Sequence, residues 1–403
     1  MKKTVLYIES GHRWNYFQWF LLGFYELRKC EQLELRFKIP IYNQVLAFSN
    51  KKTILKIANK FRKFFGKDSY LLKGTIKYPD GVKKRFVIDS ADSPYLFSSK
   101  DLEECDVYFK LQCPANLDTD GFYLTDTIKI PWLDHAYKDS SIKGLTNIGE
   151  RKKCENFEVY RHKIKPLMVG PRALAERGFS YKSLKKGYEN YINNQTKNKS
   201  KYVMCYFGNS LGPVPSKNVI NPDYDWEADI LGFFGSQISH PNEKRAIVAQ
   251  YINELENSDA RIISEFNSDN GKIEHKDLVI PLEDFCKFVS SFEYNVNVSG
   301  YRLSMPNRFI ESIMVGTAVL TDKLHIKWYK PFGEEVVETE EMGYLPNQNV
   351  NWERFKNDLI NLKHPNPVKI IENYENNWKP VVVAKYILKT AYDSNKGQNI
   401  DEE

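Results

Sequence analysis

A short stretch in the second half of the chain carries residues suited to holding an anion. Arg302 and Arg308 flank a segment that opens at Pro306, and Glu311 follows one turn later. Proline suits the first turn of a helix, and the free N–H groups there favour negative charge. A guanidinium fork matches phosphate oxygens, and a carboxylate accepts hydrogen bonds from two neighbouring hydroxyl groups. The spacing therefore predicts a pocket for a diphosphate that carries a ribose.

Two residues of the N-terminal half could remove a proton from a hydroxyl group. His12 follows the first predicted strand, and an imidazole titrates near neutral pH. Asp92 lies in a polar loop after another predicted strand and competes for the same role. Each also has a structural interpretation, His12 as a loop residue stacked on tryptophan and Asp92 as a turn or helix-cap residue. The sequence leaves the choice of base open.

A second set of phosphate contacts is predicted around Gly235 and Ser236, between a strand and a helix that carries Arg245. Glycine at such a turn lets the backbone approach a phosphate closely. Many α/β loops share this pattern, so it is weak by itself. The alternative for Glu311 is a surface ion pair with Arg308, three residues earlier on the same helix.

The elements that must position these residues are local and regular. Residues 306–322 predict a short helix, a stop at Gly316 and a buried strand. The helix has one apolar face, formed by Phe309, Ile310, Ile313 and Met314. Further predicted strands span residues 3–8, 33–39, 85–89, 106–111, 202–207, 229–234, 260–265 and 294–298. Further predicted helices span 14–27, 242–255, 351–362 and 367–392.

Strands that alternate with helices and end in polar loops are typical of a doubly wound α/β sheet with ligands at that edge. Residues 182–201 are rich in lysine and asparagine, and we expect them to be an exposed helix or linker that buries little.

Composition bounds the class of protein. The 403 residues suffice for two domains, and 42% apolar residues supply cores. A net charge of +6 is too even to argue for nucleic acid, and no aromatic–basic RNA motif occurs. The six cysteines lack metal-type spacing, which predicts neither zinc nor a disulfide framework and favours a cytoplasmic protein. No apolar run is long enough to span a membrane.

The segment from Lys51 to Lys67 predicts a basic amphipathic helix. Its apolar side carries phenylalanines, and lysines surround the other side. Such a helix suits an anionic membrane surface, which would make the protein peripheral. An ordinary domain helix with its phenylalanines in the core has the same pattern, so both interpretations stay open.

Two stretches resemble the donor site of GT-B glycosyltransferases, with some similarity to the exostosin-like branch. They are GFFGS at residues 232–236, with Arg245 in the next helix, and YRLSMPNRFIESIMVGTAVLTD at residues 301–322. The resemblance implies a nucleotide-sugar donor and neither metal nor other cofactor. The donor-binding residues that it implies are Gly235, Ser236, Arg245, Arg302, Arg308, Glu311, Gly316 and Thr317. Leu303 stands where many retaining members carry a second glutamate, so the stereochemical outcome stays open.

The GT-B resemblance also implies a domain plan, with two Rossmann-like domains facing each other across a cleft. We expect an acceptor domain at residues 1–180, a linker at 181–201 and a donor domain at 202–365. A helical segment at 366–395 could return to the first domain, and 396–403 would be a disordered tail.

Three functions remain open at this point. The first is a glycosyltransferase that moves a sugar from a nucleotide sugar to a glycan or lipid-linked acceptor in cell-surface polysaccharide synthesis. The second is a nucleotide-sugar epimerase on the same fold, which needs further acid and base residues but no acceptor site. The third is a non-catalytic nucleotide-sugar-binding protein.

Overall fold

The computed structural model describes residues 3–10, 14–39, 54, 57, 70–91, 97–115, 117, 157–171, 174–175, 179–207, 241–262, 264–267, 272–275, 282–298, 305–324, 326–339 and 352–394. Helices and mostly parallel strands alternate along these residues, which confirms the mixed α/β class. Among the helices of this part of the chain, none combines the length and the apolar character needed to cross a bilayer.

The strands in chain order are β1 (Thr4–Ser10), β2 (Leu33–Phe37), β3 (Leu71–Lys77), β4 (Lys83–Asp89), β5 (Val107–Lys110), β6 (Ile164–Pro166), β7 (Lys201–Phe207), β8 (Asp259–Ile262), β9 (Ser264–Asn267), β10 (Lys272–His275), β11 (Phe292–Asn297), β12 (Ala318–Asp322) and β13 (Val336–Thr339).

The α-helices are α1 (Gln18–Lys29), α2 (Ser99–Glu104), α3 (Phe157–Tyr160), α4 (Tyr181–Ile192), α5 (Pro241–Glu254), α6 (Leu282–Ser290), α7 (Arg308–Ile313), α8 (Trp352–Ile360), α9 (Pro367–Asn377) and α10 (Pro380–Asp393). Short 3₁₀ helices span Trp14–Tyr16 and Arg161–Lys163.

The N-terminal sheet has the strand order β2-β1-β3-β4-β5-β6. Strand β3 runs antiparallel to both of its neighbours, and the other described pairs are parallel. Strand β5 is buried along its whole length, as expected for a parallel strand covered on both faces. Apart from β3, the strands of this sheet therefore end at one common carboxyl edge.

The C-terminal sheet has the order β13-β12-β11-β7-β8, and its described strands are all parallel. The chain passes from β7 outward to β8, then crosses back to β11 and continues to β12 and β13. This is a doubly wound order whose topological switch point lies between β7 and β11, the position where such sheets bind ligands. A small hairpin of β9 and β10 stands apart from it.

Helices cover both faces of the C-terminal sheet. On one face, the Asn295 amide donates to Ser312 of α7 over 2.8 Å. On the other face, the Tyr294 hydroxyl donates to the carbonyl of Lys363, three residues after α8, over 2.6 Å. These contacts fix α7 on the side of the sheet that carries the asparagines of β11.

The C-terminal helix α10 packs against α1 and the N-terminal sheet. The Tyr386 hydroxyl donates to the carbonyl of Pro166 over 3.0 Å, and the Tyr78 hydroxyl donates to the carbonyl of Leu388 over 2.5 Å. The Trp19 indole donates to the carbonyl of Trp378 over 3.2 Å, just before α10. Helix α10 therefore packs on the N-terminal half, while the expected domain boundaries stay predictions.

Two expectations from the sequence need correction. Helix α4 is not a solvated linker, since it buries Leu184, Tyr188 and Tyr191. These apolar residues are four and three positions apart and therefore lie on one face of the helix. The lysines between them dominate the composition, which led to the expectation of an exposed segment. Strand β3 was not expected at all, because its glycine and lysines weaken the signal of an apolar strand.

Gly23 sets how closely α1 and α10 approach. A Cβ at this position would overlap the backbone carbonyl of Pro380 and lie 2.9 Å from the Cβ of Ala384. We expect Gly23→Ala to lower the free energy of unfolding by about 1–3 kcal/mol, because the overlap outweighs the better helix propensity of alanine. Urea unfolding measures it, with Gly333→Ala as the control. A Cβ at Gly333 meets first a side-chain oxygen of Glu335 at 3.1 Å. Equal stability losses in the two variants would contradict the prediction.

Candidate functional site

The segment that the sequence singled out has the predicted order of elements. Helix α7 spans Arg308–Ile313, Gly316 has a φ of +80°, and β12 follows. The predicted apolar face of the helix is fully buried. The helix begins at Arg308, two residues after Pro306. The Asn307 side chain does not cap it and donates instead to the carbonyl of Gly170 over 2.5 Å.

Arg308 lies at the carboxyl end of β11. Its guanidinium donates to the Oδ1 atom of Asn297 over 3.4 Å, and Arg308 is only partly buried. Asn297 is the last residue of β11, next to the switch point with β7. A guanidinium at this edge can meet an anionic ligand with several N–H donors.

A row of buried polar groups continues from Asn297 along the same edge. The Nδ2 atom of Asn297 donates to the hydroxyl of Thr321 over 3.1 Å, and that hydroxyl donates to the carboxylate of Asp322 over 3.0 Å. Asn297, Thr321 and Asp322 are at most 2% exposed. Two neighbouring strands therefore end in one connected polar network beneath Arg308.

The carboxyl edges of the two sheets meet at this site. The side-chain amide of Gln112, just after β5, donates to the carbonyl of Met305 and accepts from its N–H, both over 2.9 Å. The N–H of Lys327, after β12, donates to the carbonyl of Cys113 over 2.8 Å. Together with the bond between Asn307 and Gly170, these contacts join loops after β5 and β6 to loops after β11 and β12.

Glu311 is fully buried, and its Oε1 atom accepts a hydrogen bond from the Tyr191 hydroxyl of α4 over 3.3 Å. It is therefore not the surface partner of Arg308 that the alternative interpretation required. A ribose can reach this carboxylate only if the cover provided by Tyr191 moves. Its part in ligand binding stays a prediction.

Gly316 and Thr317 lie at the opposite, amino end of β12. The Thr317 hydroxyl donates to the carbonyls of Val289 and Phe292, and the Lys199 ammonium donates to that hydroxyl and to the carbonyl of Val315. Burial lowers the pKa of Lys199 to about 7. The three acceptors around its Nζ atom, including the carbonyl of Ser290, mark it as a cap on the ends of α6 and α7.

The remaining predicted site residues are not among the described side chains. His12, Asp92, Gly235, Ser236 and Arg302 lie outside the described residues. Arg245 lies within α5, and its side chain is outside the described part of the structure. Among the described residues, no group of three or more histidine, cysteine, aspartate or glutamate side chains could hold a metal ion.

Sequence reasoning missed a buried charged cluster at the carboxyl edge of the N-terminal sheet. Asp89 ends β4, Lys110 ends β5, and the two residues are paired directly across the strands. Asp89 Oδ2 accepts from the Lys110 ammonium over 2.8 Å and from the Tyr108 hydroxyl over 2.7 Å. Burial, followed by the Asp89 charge, raises the pKa of Tyr108 well above its ordinary value.

The same cluster anchors the loop that follows β4. The other oxygen of Asp89 accepts from the N–H of Ala91 over 2.8 Å, and the N–H of Ser98 donates to the hydroxyl of Tyr108 over 3.2 Å. With three donors on its carboxylate, Asp89 acts as an anchor and not as a free base. A lysine at the end of an apolar strand was the signal that could have revealed it.

Comparison with known proteins gives little further information. No protein-family model matches the chain. No curated protein matches it either. Among solved structures, the chain is similar to Anabaena Alr3699/HepE in complex with UDP, at 10% identity and a TM-score of 0.33. That match covers 97% of this chain and 100% of the other. A likeness at this level does not establish a shared fold.

The Lys110–Asp89 pair gives a prediction about stability. Lys110→Met and Asp89→Asn each leave a buried partner uncompensated and should each lower the free energy of unfolding by about 3–5 kcal/mol. The double variant should lose at least about 2 kcal/mol less than the sum, because it leaves no buried charge unpaired.

Urea unfolding of the four proteins measures this coupling. The control is the exposed pair of Lys369 and Glu334, whose ammonium and carboxylate lie 2.8 Å apart. Lys369→Met and Glu334→Gln should each cost less than about 1 kcal/mol. Additive losses at Lys110 and Asp89 would show that the two charges are not coupled.

Proposed function

We propose that the protein is a glycosyltransferase that moves a sugar from a nucleotide-sugar donor to a hydroxyl group of a glycan acceptor. In this proposal the chain has the GT-B arrangement, with two Rossmann-like domains whose ligand-binding edges face each other. The C-terminal sheet holds the donor, and the N-terminal sheet holds the acceptor.

The contact between the two carboxyl edges carries the proposal. Parallel α/β sheets bind ligands at the carboxyl ends of their strands. Gln112 follows β5 of one sheet, and Met305 follows β11 of the other, and their paired hydrogen bonds are buried. Two ligand-binding edges that meet suit a reaction between two substrates, because each edge can present one reactant to the other.

The donor side is proposed around Arg308. This guanidinium lies at the switch point of the parallel sheet, beside Asn297. A departing nucleoside diphosphate gains negative charge, which cations must neutralise where no metal ion takes part. Arg308 and Arg302 fill this role in the proposal, with Gly235, Ser236 and Arg245 on the same diphosphate.

The acceptor side is proposed around His12 and Asp92. Both follow strands that end at the carboxyl edge of the N-terminal sheet, after β1 and β4. One of them removes the proton from the acceptor hydroxyl as that oxygen attacks the sugar carbon. Asp89 and Lys110 hold the start of the loop that carries Asp92.

A lipid-linked acceptor and contact with an anionic membrane through Lys51 to Lys67 complete the proposal. In that segment Ile54 and Ile57 are described, and both are exposed. Exposed apolar side chains among lysines are what an interfacial helix needs. The pathway in this proposal is the synthesis of a cell-surface polysaccharide, such as a capsule, an O-antigen or a lipopolysaccharide.

A thermal-shift screen against nucleoside diphosphates and nucleotide sugars tests the donor site. A ligand that binds only the folded protein raises its melting temperature. We expect one nucleoside diphosphate to raise it, and Arg308→Ala to weaken its binding roughly ten- to hundredfold, since hydrogen bonds between charged groups are lost.

Arg36→Ala is the control for this experiment. Arg36 is an exposed arginine of β2 that pairs with Glu34, and its loss should leave the shift unchanged. A wild-type protein that binds no nucleotide contradicts the proposed function. A bound nucleotide sugar that is epimerised without any acceptor would favour the epimerase instead.

Glu311 gives a separate prediction. A residue that binds the ribose contributes to the affinity for a nucleotide but not to the affinity for phosphates alone. We expect Glu311→Gln to weaken binding of the nucleoside diphosphate by roughly tenfold and to leave binding of inorganic pyrophosphate unchanged. Isothermal titration calorimetry measures both. Equal weakening for the two ligands would assign Glu311 to the packing of α4 against α7.

A further inference from the structure

The central strand of the C-terminal sheet carries two asparagines on one face. Asn295 and Asn297 lie in β11 and are 0% and 1% exposed. Apolar residues occupy most positions of such buried parallel strands, because a buried amide costs free energy unless it is fully hydrogen-bonded. The Oδ1 atom of Asn295 has no hydrogen-bond partner. The Asn295 amide holds α7 through Ser312, whereas Asn297 bonds Thr321 and Arg308 at the end of the strand.

The hydrogen bonds of Asn297 have a fixed direction. A carboxylate only accepts, so the Thr321 hydroxyl donates its proton to Asp322. The same hydroxyl can then only accept from Asn297, which turns the Nδ2 atom of the amide toward Thr321. The amide oxygen consequently faces Arg308, whose guanidinium can only donate.

We propose that Asn297 is a positioning residue that holds the Arg308 guanidinium at the carboxyl edge of β11 for the phosphates of an anionic ligand. Thr321 and Asp322 set the orientation of its amide. This inference rests on the proposed donor site. A guanidinium that binds phosphate needs a defined direction, which a fixed acceptor supplies.

A substitution that removes the Thr321 hydroxyl tests this arrangement most directly. In Thr321→Val the amide of Asn297 loses its anchor and is free to turn its NH₂ group toward Arg308, where two donors face each other. Asn297→Ala removes the acceptor altogether. We expect both variants to bind inorganic pyrophosphate about five- to twentyfold more weakly than the wild type, less than the loss expected for Arg308→Ala, because the guanidinium is misdirected and not removed.

Leu320→Val is the matched control. Leu320 is the neighbouring residue of β12, is 1% exposed, and points to the opposite face of the sheet. The variant loses a methylene from the same strand, so a general weakening of the sheet would appear in it. Calorimetry with pyrophosphate and urea unfolding are run on all four proteins.

A side-chain NMR measurement separates this inference from the proposed function. The Nε–H resonance of Arg308 is assigned as the one that disappears in Arg308→Lys. We expect its chemical shift to change in Thr321→Val and Asn297→Ala but not in Leu320→Val. The inference is overturned if pyrophosphate binding needs Arg308 but is unchanged in Thr321→Val and Asn297→Ala, even though the donor site then stands. If the wild type binds neither pyrophosphate nor nucleotide, the proposed function fails. In that case the Arg308 resonance is the remaining test of the positioning role. If its chemical shift is unchanged in Thr321→Val and Asn297→Ala, the positioning role is overturned.

Discussion

One side-chain amide joins the loops of the two sheets through a pair of buried hydrogen bonds. Gln112 satisfies both the N–H and the carbonyl of Met305, in a place where all four groups are shielded from water. Buried backbone outside helices and strands must find such partners, because an unpaired group costs about 1–3 kcal/mol. Met305 therefore depends on a loop of the other sheet for both of its backbone hydrogen bonds. The start of α7, and with it Arg308, lies three residues beyond that contact and is held further by the bond from Asn307 to the carbonyl of Gly170.

Both carboxyl edges carry buried polar side chains among the described residues. Asp89 and Lys110 lie at one edge, and Asn297 and Asp322 lie at the other, all nearly inaccessible to solvent. Buried charges and amides are poor sources of stability, and apolar residues of similar size are often equal or better. The amino end of β12 shows the contrast, since Lys199 there only caps helix ends. Polar groups retained at edges that bind ligands in other α/β sheets fit a functional cause.

How much the sequence could predict depends on how local the signal was. The helix, the turn at Gly316 and β12 follow from spacing within seventeen residues, and each formed as expected. The expectation that α4 buries little was wrong, because its lysine-rich composition hid an apolar face. Strand β3 was missed because a glycine and lysines interrupt its apolar pattern. The pairing of Asp89 with Lys110 depends on strand register, and the pairing of Gln112 with Met305 spans 193 positions. No pattern within one segment encodes such contacts.

The two charged residues of α7 differ in burial, so ligand binding would require different structural changes at each. Arg308 is partly exposed, although the Nε atom of its guanidinium is buried. Glu311 is closed off from solvent beside Tyr191, which α4 supplies. A carboxylate has about four acceptor sites, so the hydrogen bond from Tyr191 does not prevent others. The obstacle is space, since ribose hydroxyls need room that α4 now fills. Ribose contact at Glu311 would therefore demand more displacement than phosphate contact at Arg308, because Tyr191 of α4 is bonded to that carboxylate.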